Sequence, residues 1–426
     1  MAKINGTPTS IRVGIPKLSD TPVGWKREKL NKHLFEIRRP IRLEPEKSYR
    51  LVTVKRSRGG VEERSCLLGR EIKTPSQFLV EAGDFLISKR QIVHGACGIV
   101  PVDLAGSVVS NEYTVIGTKG GIDLTFLQYL SESMYFQQTC FHSSIGVHVE
   151  KMIFNVNRWL NWDFNIPPLA EQTKIVEILA SQDQAIEKLN KLIDNSKEQK
   201  KSLMQQLVTG KKRFSGFKAK WKKNKLAQLS ITFSGGTPSR NCKHYFDGGI
   251  PWVKSGEINN RIINSTKESI SESGLANSSA KKVPAQSILI AMYGATAGKI
   301  AITNIETAIN QAILAVIPNK NINHRFLFYA LEFELEKTVS LVQGGQPNLN
   351  AGIIKNIQIL MPETAEQEAI ANCLINAEAT INNLNEQLNQ LQQGKQALMQ
   401  QLFTGKRRVK EARRSHILQQ NLRVQP

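Results

Sequence analysis

The chain repeats itself, and the repeat limits what it can fold into. Residues 167–213 read PPLAEQTKIVEILASQDQAIEKLNKLIDNSKEQKKSLMQQLVTGKKR. Residues 362–408 read PETAEQEAIANCLINAEATINNLNEQLNQLQQGKQALMQQLFTGKRR, and the two align without a gap at an offset of 195. Ala-Glu-Gln opens both segments (170–172 and 365–367) and Leu-Met-Gln-Gln-Leu closes both (203–207 and 398–402). Trp25-Lys-x-x-Lys-Leu30 and Trp221-Lys-x-x-Lys-Leu226 match at 196, and Asn111-Glu112 and Asn310-Gln311 at 199. Offsets this close mean that a whole half-chain is duplicated. The ends of the halves are alike, whereas their middles have diverged.

Each repeated segment carries a heptad pattern whose apolar steps alternate four and three, the spacing of a coiled-coil helix. The first seam is Ile175, Leu179, Gln182, Ile186, Leu189, Ile193, Ser196, Lys200, Leu203 and Leu207. The second is Ile370, Leu374, Ala377, Ile381, Leu384, Leu388, Leu391, Lys395, Leu398 and Leu402. The natural partner of each seam is the other, and the pseudo-two-fold repeat predicts antiparallel pairing. For Lys200 and Lys395 two readings stand. They fix the register of the pair, or they snorkel outward from helix ends. Thr209-Gly210 and Thr404-Gly405 supply the left-handed glycine that stops a helix.

The middles, residues 11–166 and 214–361, alternate short apolar runs with Gly, Pro and Asn turns and predict mixed α/β domains. The expected class is therefore α+β, with two mixed domains separated by a long antiparallel two-helix coiled coil. The expected divisions are 1–166, 167–210, 211–361, 362–405 and a basic tail, 406–426.

A formal net charge of +21 and a pI near 9.8 favour a polyanionic partner, nucleic acid before a membrane surface. Residues 211–225 (KKRFSGFKAKWKKNK) hold eight basic residues and no acid. They suit a phosphate-contacting linker or a solvated one. Five cysteines, an odd number without a C-x-x-C pair, predict neither a disulfide framework nor zinc and suit a reducing cytoplasm. No apolar stretch is long enough to cross a bilayer, and the polar first ten residues predict no secretory signal.

The motifs of catalysis are missing. Gly294-Ala-Thr-Ala-Gly298-Lys299-Ile300 is one residue short of a phosphate loop and ends in Ile where Ser or Thr would bind a metal. Ile166-Pro-Pro-Leu169 lacks the polar and aromatic residues that an amino-methyltransferase needs to hold a base. There is no Gly-x-Gly-x-x-Gly after a strand, no Pro-Asp pair for a nuclease centre, and Cys242-Lys-His244 is not read as a metal site. No metal, cofactor or catalytic residue is expected.

Several segments of the second half carry a resemblance. They are Gly235-Gly-Thr-Pro-Ser239, Tyr245-Phe246, Ile250-Pro-Trp-Val-Lys-Ser-Gly-Glu-Ile258, Asn310-Gln311 and Gly344-Gly-Gln-Pro-Asn-Leu349, followed by the Pro…Ala-Glu-Gln helix start. Together they closely resemble the specificity (S) subunit of type I restriction-modification systems, over nearly the whole chain. The first half departs from the pattern. Its residues 49–61 and 82–89 resemble a different class of target recognition domain.

The resemblance implies that each domain reads one half of an asymmetric, bipartite site on double-stranded DNA. The helices set the spacer and dock two methyltransferase (M) subunits. Restriction (R) subunits complete the complex, S-adenosylmethionine and ATP belong to the partners, and the methylated base is adenine. Stand-alone DNA-binding protein, nuclease and RNA-binding coiled coil are the competing classes. Residues at strand ends and in glycine-rich loops are the expected DNA contacts. In the first domain these are Arg56, Arg58, Lys89 and Arg90. In the second they are Arg240, Lys243, Lys254, Tyr293, Gln343 and Gln346. Gly235, Gly236, Pro238 and Trp252 read as scaffold.

Overall fold

The structure is a computed structural model, and it describes residues 14–74, 76–340 and 349–409. The chain divides into two compact units: residues 1–188 with 388–426, and residues 189–387. Two forty-residue helices, Leu169–Val208 and Thr364–Phe403, stand where the heptads predict them, each about 60 Å long. Each helix crosses from one unit into the other, so each unit holds half of both helices.

In the first unit, a four-stranded antiparallel sheet has the order Leu34–Ile37, Tyr113–Thr118, Phe85–Ser88, Cys97–Ile99. Strand periodicity explains its place in the core, since alternate side chains point to opposite faces. Phe85 and Ile87 join a cluster with Phe126, Trp159, Ile175, Leu179 and Leu402, which is the helical side. Leu86 faces the other way, onto Val52, Val54 and Val61 of a second sheet. Both faces are buried, which is why the run reads Phe-Leu-Ile without alternation.

The second unit repeats this plan. Its sheet runs Ser230–Ser234, Ile313–Pro318, Ile288–Ala291, Ile300–Thr303, with Ile262–Ile263 added at the edge. Ile288 and Ile290 face a helical cluster with Leu207, Phe326, Ile370 and Leu374. Leu289 and Ala291 face Val253, Ile258 and Val283.

The second sheets share a four-strand arrangement, to which the first unit adds Pro40–Ile41 at the edge of Gln77–Leu79. In the first unit, Val108–Ser110 lies antiparallel to Gln77–Leu79 and parallel to Ser48–Val54, which pairs antiparallel with Val61–Leu68. In the second, Thr307–Ile309 lies antiparallel to Lys281–Val283 and parallel to Phe246–Val253, which pairs antiparallel with Glu268–Ile270. The two middles, unlike in sequence, share one backbone topology.

The helix halves are locked within each unit by the same set of contacts. In the first, Trp25 Nε1 donates to Glu171 Oε2 (2.9 Å), and Arg408 donates to both carboxylate oxygens (2.8 and 2.9 Å). In the second, Trp221 Nε1 donates to Glu366 Oε2 (2.9 Å) and Arg213 forks onto the same carboxylate (2.8 and 2.7 Å). Gln172 and Gln367 each accept from the backbone N–H of a helix N-cap, Asp123 and Asn323. Each also donates to a proline carbonyl, of Pro167 or Pro362.

The seam lysines are inward members of this frame and not frayed ends. Lys395 meets Asp183 at 2.6 Å, and Tyr129 donates to the same carboxylate at 2.8 Å. Lys200 meets Glu378 at 2.5 Å, and Tyr329 donates to it at 2.9 Å. In the first unit, Glu171 pairs with Arg408 and Asp183 with Lys395; in the second, Lys200 pairs with Glu378 and Arg213 with Glu366. In each unit, therefore, the helix halves run antiparallel. The seam is fully buried at Ile175, Leu179, Ile193, Leu207, Ile370, Leu374 and Leu402 and half-buried at the rest. Gly210 and Gly405 adopt the left-handed conformation (φ 71 and 64) predicted for the helix stops.

Candidate nucleic-acid interface

In the first unit the four expected basic residues lie on neighbouring loops. Arg56 and Arg58 follow the strand Ser48–Val54, and Lys89 and Arg90 follow Phe85–Ser88. The loops are joined by Arg56 Nε donating to Gln91 Oε1 (2.8 Å) and by Arg58 N donating to the Gly95 carbonyl (2.9 Å).

The four residues differ in what they can offer a ligand. Arg56 is about half exposed and also pairs with Glu150 at 3.2 Å. Arg90 is half exposed and forks onto Glu112, with Nη2 at 3.1 Å from Oε1, and that hydrogen-bonded pairing raises its pKa. Lys89 is half-buried and donates to the Asn111 carbonyl (2.9 Å). Arg58 turns inward. Its Nε donates to the Ser131 carbonyl at a helix end (2.9 Å), and its guanidinium packs on Gly95. Ser57 and Arg58 both take positive φ (56 and 59), a conformation that costs energy outside glycine. The contacts of Arg58 hold it there.

In the second unit, Arg240 and Lys254 converge on a residue that the sequence did not single out, Glu268. Arg240 Nη2 donates to Glu268 Oε2 at 2.8 Å, and Lys254 Nζ donates to Oε1. The bonds from Lys254 and Arg240 hold the Glu268 carboxyl below its usual range. The Arg240 guanidinium also lies 4.4 Å from the Phe246 ring centroid and 5.4 Å from that of Trp252, a cation–π arrangement. Lys243 is exposed, and its side chain makes no hydrogen bond or ion pair with any described residue. Tyr293, 40% exposed, follows the strand Ile288–Ala291 as Arg90 follows Phe85–Ser88. Gln343 and Gln346 lie outside the described residues, as do Gly344 to Asn348 of the motif and the tail from residue 410.

The glycine-rich motif is scaffold beneath this cluster. Trp252 is buried (1% exposed) and its Nε1 donates to the Gly236 carbonyl at 3.3 Å. A Cβ at Gly235 would sit 1.8 Å from the Ile309 carbonyl oxygen, and one at Gly236 2.5 Å from the Ser279 backbone. Only glycine lets this loop approach its neighbours so closely.

The basic stretch 211–225 is anchored, not free. Arg213 and Trp221 bind Glu366, and Lys222–Lys225 pairs antiparallel with Gln358–Met361. Its seven lysines remain exposed on this fixed backbone. Among the described residues no group of His, Cys, Asp and Glu is placed to hold a metal, and no helix is long and apolar enough to cross a membrane.

Sequence reasoning missed Glu112, Glu268 and Arg261. The last donates to Glu332 and Glu378. A faint signal exists for it. Arg58 and Arg261 stand 203 residues apart, the same offset as the strands Cys97–Ile99 and Ile300–Thr303. Both turn inward.

Two folds of one plan, each closing on a shared helix pair and presenting charged strand-end loops, define a duplicated module. Comparison with known proteins identifies it. Residues 22–195 and 218–393 both match the family described as type I restriction modification DNA specificity domain, and the chain belongs to that family, carrying two copies of the domain. Among curated relatives, the chain is 26% identical over 350 residues to the MjaVIII specificity subunit of Methanocaldococcus jannaschii, covering 77% of each. It is 25% identical over 227 residues to the EcoR124I/EcoR124II specificity subunit of Escherichia coli, covering 52% of this chain and 55% of that relative.

Solved structures share the fold. The HsdS subunit of Thermoanaerobacter tengcongensis superposes with a TM-score of 0.55 at 18% identity, covering 92% of this chain and 99% of that one. A chain solved in work on complex assembly and conformational transition of the type I system gives 0.64 at 19% identity, covering 90% and 98%.

Proposed function

We propose that this chain is the sequence-recognition subunit of a type I restriction-modification complex. Each unit reads one half of an asymmetric bipartite site on double-stranded DNA. The recognition domains are assigned to residues 1–166 and 211–361, and the helices of 167–210 and 362–405 set the distance between half-sites. Two methyltransferase subunits dock on the repeated frame, and restriction subunits join them for ATP-dependent cleavage. Methylation of adenine and the use of S-adenosylmethionine belong to the partners, and this chain has no catalytic step of its own. Its five cysteines are all free, which supports a reducing, cytoplasmic setting.

One observation carries the reading. The same fold and the same helix anchors occur twice, yet the strand-end loops differ: Arg56, Lys89 and Arg90 in one unit, Arg240, Lys243, Lys254 and Tyr293 in the other. A symmetric frame suits two copies of one partner, and unlike loops suit two unlike half-sites, as half-site spacing follows protein geometry in other paired DNA readers. The excess of cations supplies salt-dependent backbone affinity, and the positioned polar groups supply base readout.

The test is to express the chain with its methyltransferase and map methylated bases in the host DNA. The expected result is one asymmetric bipartite motif, with no methylation from the chain alone. Metal-dependent cleavage by the isolated chain would revive the nuclease class. Equal binding to every duplex would leave a non-specific binder.

A further inference from the structure

We infer that Arg240 reads a guanine in the half-site of the second unit, and that Glu268 is the residue that positions it. The inference rests on the function proposed above and adds a residue, a base and a buttress to it.

Most surface arginines sample many rotamers and contact DNA as mobile charges. Arg240 is held on two sides. One face of its guanidinium lies over Phe246 at 4.4 Å, and Nη2 is bound by Glu268 at 2.8 Å. Neither support is loose. Glu268 begins the strand Glu268–Ile270 and stands opposite Trp252 in the sheet register. The Trp252 ring is buried and tied to the Gly236 carbonyl, on a loop where neither Gly235 nor Gly236 can accept a side chain. The platform under Arg240 is therefore part of the sheet, since Phe246 and Glu268 lie on paired strands.

The remaining geometry selects a base. Arg240 keeps 55% of its side-chain surface exposed. Its unbound N–H groups point along a fixed plane, and two parallel N–H donors match O6 and N7 of guanine in the major groove. A phosphate contact would not need this arrangement. Placing a partly exposed carboxylate beside the DNA backbone is unfavourable unless the carboxylate does something for recognition. Here it orients the guanidinium, which is pre-organisation in the sense that limits what binding must still immobilise. Lys254 shares Glu268, so two cations and one carboxylate leave the cluster with net charge +1. Lys254 is thereby assigned to the phosphates and Arg240 to the base.

The test uses the full-length chain assembled with its methyltransferase, comparing the methylated motifs of wild type, Arg240→Lys, Glu268→Gln and Lys254→Gln. The wild type is expected to require a G·C pair at one position of the second half-site. Arg240→Lys keeps the charge but loses the fork. It should relax that position about tenfold or more and leave the first half-site strict. Glu268→Gln should relax the same position to a smaller extent. Lys254→Gln should lower affinity for all sequences alike.

The first half-site, read by the other unit, is the internal control, and unchanged thermal unfolding of Arg240→Lys excludes a folding defect. Three outcomes overturn the inference: a strict motif in Arg240→Lys, a uniform loss of affinity in that variant, or relaxation in both halves. A wild-type complex without a bipartite motif overturns the underlying function, and the base assignment with it.

Discussion

The two units share a backbone plan but stabilise it with unequal resources. At the Trp–Glu–Arg anchor they match residue for residue: Trp25, Arg408 and Glu171 in the first, Trp221, Arg213 and Glu366 in the second. At the seam lysine they diverge. In the first unit, Asp183 takes Lys395 and Tyr129 while remaining 43% exposed. In the second, Glu378 is more enclosed (24% exposed) and takes Lys200, Tyr329 and Arg261 together. The ion pair recurs in both units, and the second adds a further cation, Arg261. A repeated interaction can thus keep its role while its energetic weight changes.

The largest expected effect tests that inequality. Glu378→Ala leaves Lys200 without its carboxylate beside Arg261, which keeps Glu332, and should destabilise the second unit by about 3 kcal/mol. Asp183→Ala leaves Lys395 near Glu132, 3.7 Å away, and should cost about 1 kcal/mol. Denaturant unfolding of the full chain, followed unit by unit through hydrogen exchange, reads both; equal losses would erase the distinction. The pH dependence has a definite sign. Burial raises the pKa of Glu378, but Arg261 and Lys200 outweigh it and leave it below its ordinary value. Its contribution is therefore full above the ordinary carboxylate pKa and is lost as pH falls through the lowered, folded-state value. The second unit should lose protection below about pH 4.5 in wild type and show less pH dependence in Glu378→Gln.

The helix stops sharpen the comparison in the opposite direction. Both glycines are left-handed, so any side chain costs about 1 kcal/mol in backbone strain. A Cβ at Gly405 would also sit 2.2 Å from Pro22, whereas at Gly210 it would meet the Trp221 ring at 3.4 Å. Gly405→Ala should destabilise by about 2 kcal/mol and Gly210→Ala by about 1 kcal/mol, measured as melting shifts.

The smallest effect concerns the exposed lysines of residues 211–225, which have no stretch of equal density in the first half. Replacing Lys218, Lys220 and Lys222 by Gln should flatten the dependence of log affinity on log salt by about one for each phosphate left without its lysine, with the recognised motif unchanged. A changed motif would move these lysines from the backbone to the bases.

Much of the frame was legible in the chain. The gapless repeat and the four-three spacing located both helices and their stops, and equal offsets marked Lys200 and Lys395 as one position. Their partners were not legible, because tertiary contacts join residues far apart: Trp25 and Glu171 are 146 residues distant. The offset alone could have drawn them out, since Trp, Glu and Arg recur at 195 to 196 with no catalytic motif to explain them. The shared topology of the middles was hidden for another reason. Short strands buried on both faces read as bare apolar runs, and divergent side chains fill the same backbone. The setting of Arg58 was not legible either: the sequence places it in a glycine-rich loop, and only the fold shows its guanidinium turned inward to Ser131.

The division of each helix between units also sets the order in which the protein can be made. Residues 189–387 are continuous, so the second unit can close while synthesis is still under way. The first cannot, because its core awaits Met399 and Leu402, and Glu171 awaits Arg408, 237 residues later. Until then Ile175 and Leu179 lack the part of their cover that Met399 and Leu402 supply, so the unit that begins first is the last whose chain is complete.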